Sequence, residues 1–287
     1  MPHEHPHTHD NDSKEIVVLH ATAPTCWWSW GYEAVINRLR MVYGDQIRIR
    51  TWTSFVYDDF DQHMKHYGMS WKDFLGWTKE GSEIMNIPLE LNPKRNFFPK
   101  SVLPATIAVF AAKKQGAEKS ERLAREFLRM FNVELKDVSK DKIIFEAAET
   151  SGLDMKKFKK DFSDKDARLK EMNEEQKTRP HELPIFFYNM IIADNERKYI
   201  NIDNAFEPKE VEAAIDYLSG GKLKKELIHE NDVPKYLKAH GFAPLMEIAR
   251  VFNMSPERAR EVLATLEKQG VAERKMLAGA PHWKAKE

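Results

Sequence analysis

The sequence predicts an α/β fold in which a small sheet is interrupted by a large helical block and followed by a compact helical module. Three observations predict it. Residues 16–53 carry a strand–helix–strand pattern, residues 58–177 are helical almost throughout, and residues 183–202 return to the apolar run and alternation of a β-hairpin.

Residues 1–14 are polar, proline-containing and too poor in apolar side chains to fold, so they read as a flexible tail. Ile16-Val17-Val18-Leu19 is a β-branched run bounded by the turn-forming Ala23-Pro24-Thr25, the pattern of a buried strand. Trp30, Ala34, Ile36, Leu39 and Val42 mark the apolar side of the helix that follows, and Gly44-Asp45 stops it before a second strand at 46–53. Helical patterns over 105–115, 119–131, 140–151 and 155–162 fill the central block, with Gly, Pro and Asn between them. The apolar run from Leu183 to Ile192, the turn at Asp194-Asn195 and the alternation over 197–202 give the hairpin, and a helix over 208–218 ends at Gly220-Gly221. A lysine-rich link then leads to residues 232–287. There a helix over 245–252, a turn at Asn253-Met254, a helix over 255–269 opened by Ser255-Pro256-Glu257, and two strand segments paired across Gly279 outline a winged helix-turn-helix.

Composition excludes several function classes. The 287 residues hold 45 Lys+Arg against 45 Asp+Glu, so no global field steers the protein onto nucleic acid or an anionic membrane. Cys26 is the one cysteine, which rules out an intrachain disulfide and a self-contained dithiol cycle. No apolar run reaches the roughly eighteen residues of a membrane helix. The start of the chain has histidines and acids where a signal peptide needs a basic and then an apolar stretch, so the expected location is cytoplasmic.

The sharpest chemical feature is Cys26-Trp27-Trp28-Ser29, followed by Trp30-Gly31-Tyr32, between the first strand and the first helix. A cysteine at a helix N-terminus faces unpaired N–H groups and the positive end of the helix dipole, which favour the nucleophilic thiolate. His20, at the end of the first strand, is placed to lower the thiol pKa further if it is an imidazolium; the plainer expectation is a histidine satisfied by a backbone hydrogen bond. The plainer reading leaves Trp27 and Trp28 exposed in the x-x positions and the functional one makes them an apolar rim that docks a substrate, the two weighed equally for Trp27, while Trp30 is read as core.

These residues resemble the DsbA family of thioredoxin-fold proteins, in the helical-insertion branch that includes disulfide oxidoreductases, 2-hydroxychromene-2-carboxylate isomerases and kappa-class glutathione transferases. That family opens its first helix with Cys-x-x-Cys or a serine variant, matched here by Cys26 and Ser29. Its second hallmark is a cis-proline at the start of the third strand, matched by Pro184 in His181-Glu182-Leu183-Pro184-Ile185-Phe186. The resemblance implies a thioredoxin-like domain over residues 15–228 with its helical insertion at about 58–177, and the winged-helix-like domain over 232–287. It also implies that the backbone at Leu183-Pro184 pairs with a bound peptide or thiol. Where redox members carry a resolving cysteine this chain has Ser29, whose hydroxyl hydrogen-bonds a thiolate but cannot displace a mixed disulfide.

Three functions follow from this. The first is a monothiol thiol-disulfide oxidoreductase, exchanging with a thiol or disulfide substrate and requiring no cofactor beyond glutathione or another small thiol as cosubstrate. The second is a non-enzymatic adaptor or redox-sensing regulator that uses the fold for binding. The third is a glutathione-dependent isomerase or transferase. His3, His5, His7 and His9 alternate in the tail and are candidate metal ligands, with a solvated tail of weak affinity as the plainer reading. A group of thioredoxin-like protease adaptors is similar in arrangement, with a His-rich, zinc-binding N-terminus before a DsbA-type domain. The last predicted helix carries Arg258, Arg260 and Lys268 but also Glu257, Glu261 and Glu267. With no net basic face, the C-terminal module is expected to bind a protein partner or to self-associate, with DNA binding as the less favoured alternative.

Overall fold

A computed structural model describes residues 16–53, 57–91, 98–195 and 198–286. In β1 (Ile16–Thr22), Ile16 and Val18 enter one apolar cluster while Val17, Leu19 and Ala21 enter another on the opposite face, the signature of a strand covered on both sides. It pairs in parallel with β2 (Ile47–Thr53) and antiparallel with β3 (Asn189–Asp194), which pairs antiparallel with β4 (Tyr199–Asp203); the order is β2-β1-β3-β4. A parallel pair needs a crossover, and α1 (Trp27–Tyr43) supplies it. Gly44, at φ 55°, ends α1 by turning its N–H onto the Arg40 carbonyl. The thioredoxin-like fold with a helical insertion is therefore present.

The insertion comprises α2 (Phe60–His66), α3 (Trp71–Met85), α4 (Leu103–Lys113), α5 (Ala117–Asn132), α6 (Asp141–Thr150), α7 (Met155–Ser163) and α8 (Lys165–Lys177). Its helix starts are chemically marked: Ser70 and Asp73 form a capping box on α3, and Asp154 caps α7. Helices α4 to α7 share a core of their own around Ala108, Leu123, Phe127, Ile144 and Phe158.

The hairpin differs from the sequence expectation. Its first strand occupies only the second half of the apolar run, because residues 183–188 are tied into a loop. Pro184 lies between the Leu183 carbonyl and the Ile185 N–H, which are hydrogen-bonded at 2.9 Å, a tight turn that the proline ring's fixed φ suits. The Asn189 side chain then accepts from the Phe186 N–H at 2.8 Å and donates to the Pro184 carbonyl at 2.7 Å. Arg197, the expected start of the returning strand, lies outside the described residues. After β4, α9 (Pro208–Ser219) starts on a proline and ends at Gly220, φ 61°.

The C-terminal module contains α10 (Val233–His240), β5 (Ala243–Pro244), α11 (Leu245–Val251), α12 (Pro256–Lys268), β6 (Ala272–Leu277) and β7 (Ala280–Ala285). Its antiparallel sheet has the order β5-β7-β6, and the β6–β7 hairpin turns through Ala278 and Gly279, both at positive φ. The module is packed against the rest of the chain. Ala34 of α1 is part of its apolar core, Arg38 donates to the Val251 carbonyl at 2.9 Å, and Arg250 reaches Glu207 and the Met85 carbonyl at 2.8 and 2.7 Å. The two guanidiniums are thereby largely removed from water, and each is held by one carboxylate and one backbone carbonyl.

Candidate functional site

Cys26 is the N-cap of α1. Its backbone is extended (φ −84°, ψ 114°), its N–H is held by the Ala23 carbonyl at 3.0 Å, and its own carbonyl accepts from Trp30 at 3.3 Å. As a residue Cys26 is half-buried. Trp27, only 6% exposed, packs edge-on against Phe74 and Trp77 of α3 at 5.2 and 5.1 Å. Its indole nitrogen lies where Gly81 leaves room, 2.8 Å from the place a Cβ would occupy. Trp28, 8% exposed, stacks on Phe206 at 5.7 Å with the rings 10° from parallel. The exposed-rim reading of Trp27 and Trp28 is thus corrected: the insertion supplies an aromatic wall that buries the first, and the segment after β4 covers the second.

This packing sets the chemistry of the sulfur. Burial pushes the Cys26 thiol above its ordinary pKa, and that effect outweighs the Ser29 hydroxyl and the N–H groups of Ser29 and Trp28, all of which favour the thiolate. The helix N-terminus does act on the sulfur in the expected sense, but desolvation is larger, so the expected low-pKa thiolate is corrected to a thiol near neutral pH. Ser29 is buried, and its hydroxyl makes no hydrogen bond of ordinary geometry. His20 is also buried, with its pKa lowered to about 4 by desolvation and by the nearby Arg40 charge. It is neutral at physiological pH and adds no positive charge to favour the thiolate.

The second expected hallmark is not formed. No peptide bond among the described residues is cis, so the Leu183–Pro184 bond is trans; the tight turn at Pro184 uses the Leu183 carbonyl internally. Leu183 packs with Leu19, Ala21, Trp52, Ile185 and Ile191 on one face of the sheet, whereas Cys26 packs with the cluster on the α1 face. Pro184 and His181 are exposed. The structure therefore brings Cys26 together with Ser29, Trp27 and Trp28, and places Leu183 in another cluster. His3, His5, His7 and His9 lie outside the described residues. Among the described residues no cluster of three His, Cys, Asp or Glu is placed to hold a metal ion, and no helix is long and apolar enough to cross a membrane.

Sequence reasoning missed Tyr32 and Arg125. Tyr32 is fully buried and stacked on Phe206 at 4.7 Å; its hydroxyl makes no hydrogen bond of ordinary geometry among the described residues, and burial, with Cys26 and Asp203 nearby, pushes its pKa far up against the pull of the Ala205 backbone. Its spacing of four from Trp28, which puts both rings on one side of the helix, was the available signal. Arg125 of α5 lies over the Trp30 ring at 5.1 Å, and Trp30 in turn bonds to the Cys26 carbonyl. No short-range pattern marks it.

Residues 21–193 match the sequence model of a thioredoxin family. The chain is 21% identical, over 93% of its own length and 93% of the relative's, to the ClpXP adapter protein SpxH of Halalkalibacterium halodurans. Among solved structures it resembles the cytosolic disulfide reductase DsbM of Pseudomonas aeruginosa (16% identity, 71% of this chain and 98% of that one, TM-score 0.50). It also resembles a probable DsbA oxidoreductase of Streptomyces coelicolor (16% identity, 74% and 94%, TM-score 0.50). These two share its fold and leave about a quarter of this chain uncovered.

Proposed function

This chain belongs to the thioredoxin family, and we propose that it works as a protein-docking adaptor in which the thioredoxin fold and the C-terminal module form one platform. The observation that carries this is the packing around Cys26: Trp27 and Trp28 are buried instead of forming a substrate rim, and burial raises the pKa of the one thiol. The near full-length likeness to a ClpXP adapter protein supports the same reading, because it extends over 93% of both chains. On this reading the protein is an adapter serving ClpXP, with the expected cytoplasmic location. Arg258 of α12 is already paired with Glu230 and Glu261, at 2.6 and 2.9 Å, which favours a protein partner over DNA.

A second reading, monothiol exchange, is favoured by the Ser29 hydroxyl and the two N–H groups that stabilise the thiolate when it forms. The Cys26 thiolate would attack oxidised glutathione, giving a mixed disulfide and releasing one glutathione thiolate, and a second thiol would resolve it. One experiment separates the two. The full chain and its Cys26→Ser variant are used to capture partners from cells, with and without reductant. The adaptor reading expects the same stoichiometric partner in all four samples; capture that needs Cys26 and disappears with reductant would replace it with thiol exchange.

A further inference from the structure

Where the end of α3 meets the C-terminal module there is an open groove of about 450 Å³, remote in composition from the cysteine site. Its lining includes Pro88, Pro244, Pro281, Met246 and Trp283, with Glu83 of α3 and Arg260 of α12 as its charged residues. This size and this mix, apolar walls with a few polar groups, are those of a ligand-binding cleft. Neither side forms it alone: Pro88 belongs to the insertion, and the other four apolar residues to the C-terminal module.

The backbone of the groove restricts what can lie in it. Three of the lining residues are prolines and have no N–H to donate. The N–H groups of Asn86 and Ile87 are taken by the carbonyls of Glu83 and Ser82 at 3.2 Å each, and the Ile87 carbonyl accepts the Ser82 hydroxyl at 2.7 Å. Pro244 and Trp283 belong to β5 and β7, which are paired with each other. An extended peptide joins a protein through backbone hydrogen bonds, and such partners are scarce here. A helix satisfies its own backbone and offers only side chains, which is what an apolar, donor-poor wall accommodates. The two charges of the lining are not equivalent, because Glu83 is paired with Lys79 at 3.8 Å. Arg260 is exposed and makes no salt bridge among the described residues, in contrast to Arg258 two residues away on the same helix.

We propose that this groove binds an amphipathic helix of a protein partner, with apolar residues at i, i+4 and i+7 seated between the prolines and Trp283 and a carboxylate at the helix edge paired with Arg260. The proposal deepens the adaptor reading and rests on it for the existence of a partner.

The test uses fluorescein-labelled designed peptides and the full chain, read by fluorescence anisotropy. The acidic peptide has leucines at i, i+4 and i+7 with one flanking glutamate; its counterparts carry lysine in place of the glutamate, or a central proline that prevents the helix. The acidic helix is expected to bind at least tenfold more tightly than either counterpart, and Arg260→Glu, an exposed change, to reverse the preference between glutamate and lysine. The proposal is overturned if no peptide binds, if the proline peptide binds equally well, or if Arg260→Glu leaves the preference unchanged. It is also overturned if sedimentation shows a dimer that Arg260→Glu abolishes, which would give the groove to a second copy. Failure here is distinguishable from failure of the adaptor reading. A cellular partner captured equally by Arg260→Glu refutes the groove alone, whereas peptide binding without any captured partner refutes the adaptor alone.

Discussion

At Gly31 the first helix comes close enough to its neighbours that a methyl group has no place. A Cβ there would lie 2.4 Å from the Met85 sulfur and 2.9 Å from Phe206, both fully or nearly fully buried. Gly31→Ala is expected to cost about 1–3 kcal/mol through overpacking, measured by urea unfolding. Gly76→Ala, in an exposed stretch of α3 with nothing near the new methyl, is the control and should gain up to about 1 kcal/mol from helix propensity. Equal effects at the two positions would contradict the packing account. The same crowding explains what could and could not be read at the cysteine. That Cys26 opens a helix was legible from the strand-to-turn signal before it. Its raised pKa was not, because Phe74 and Trp77, which pack on the adjacent Trp27, lie some fifty residues further on, in a helix whose docking no local pattern specifies.

Between elements, the decisive device is a buried polar hub. The Arg125 guanidinium of α5 pairs with Glu33 of α1 at 2.9 Å and with Glu247 of α11 at 2.7 Å, and it donates to the His240 carbonyl at 2.9 Å. Glu247 also accepts from the Tyr236 hydroxyl at 2.6 Å, which in turn accepts from Asn37 at 3.0 Å. One network thus joins insertion, site helix and C-terminal module. Burial pulls the Glu247 carboxyl upward against the pull of Arg125, so the charge is tolerated only because its partners are in place. Glu247→Ala leaves the guanidinium and the tyrosine short of a partner and should cost about 3–5 kcal/mol. Arg125→Met/Glu247→Met, which removes both charges at once, should recover most of that loss in a double-mutant cycle followed by chemical denaturation. Additive losses would mean the two residues do not act as a pair. Helix α12 was legible from Ser255-Pro256, and α1 from Gly44. The hub was not, since Arg125 is separated by 92 residues from Glu33 and by 122 from Glu247, and long-range pairing leaves no trace in local periodicity.

For the molecule as a whole, the consequence of packing three parts so closely is a set of histidines that cannot take up a proton without leaving their places. His20 in β1 and His282 in β7 both have pKa values lowered to about 4, in each case chiefly by burial, with arginine charges adding to it. His240, half-buried beside Arg125, Arg40 and Arg122, is lowered to about 3. Each would titrate near 6.5 in the unfolded chain. Between about pH 6.5 and 4 the unfolded state therefore binds more protons than the folded one, and stability rises with pH across that window. The contribution is complete above pH 6.5 and is lost as pH falls toward 4. For His20 and His282 the loss at pH 5 amounts to about 2 kcal/mol each; the partial exposure of His240 makes its share smaller. Glu247, whose folded pKa is raised, acts in the opposite sense, because the folded state binds its proton more readily. Urea unfolding at pH 7.5 and pH 5 should therefore show a marked drop in stability, and His20→Phe should reduce that drop by about 2 kcal/mol, with His282→Phe as the independent repeat. A stability that stays flat from pH 7.5 to 5, or a drop unchanged in both variants, would mean that the histidines are protonated in the folded protein and that the close packing of sheet, insertion and C-terminal module is looser than described.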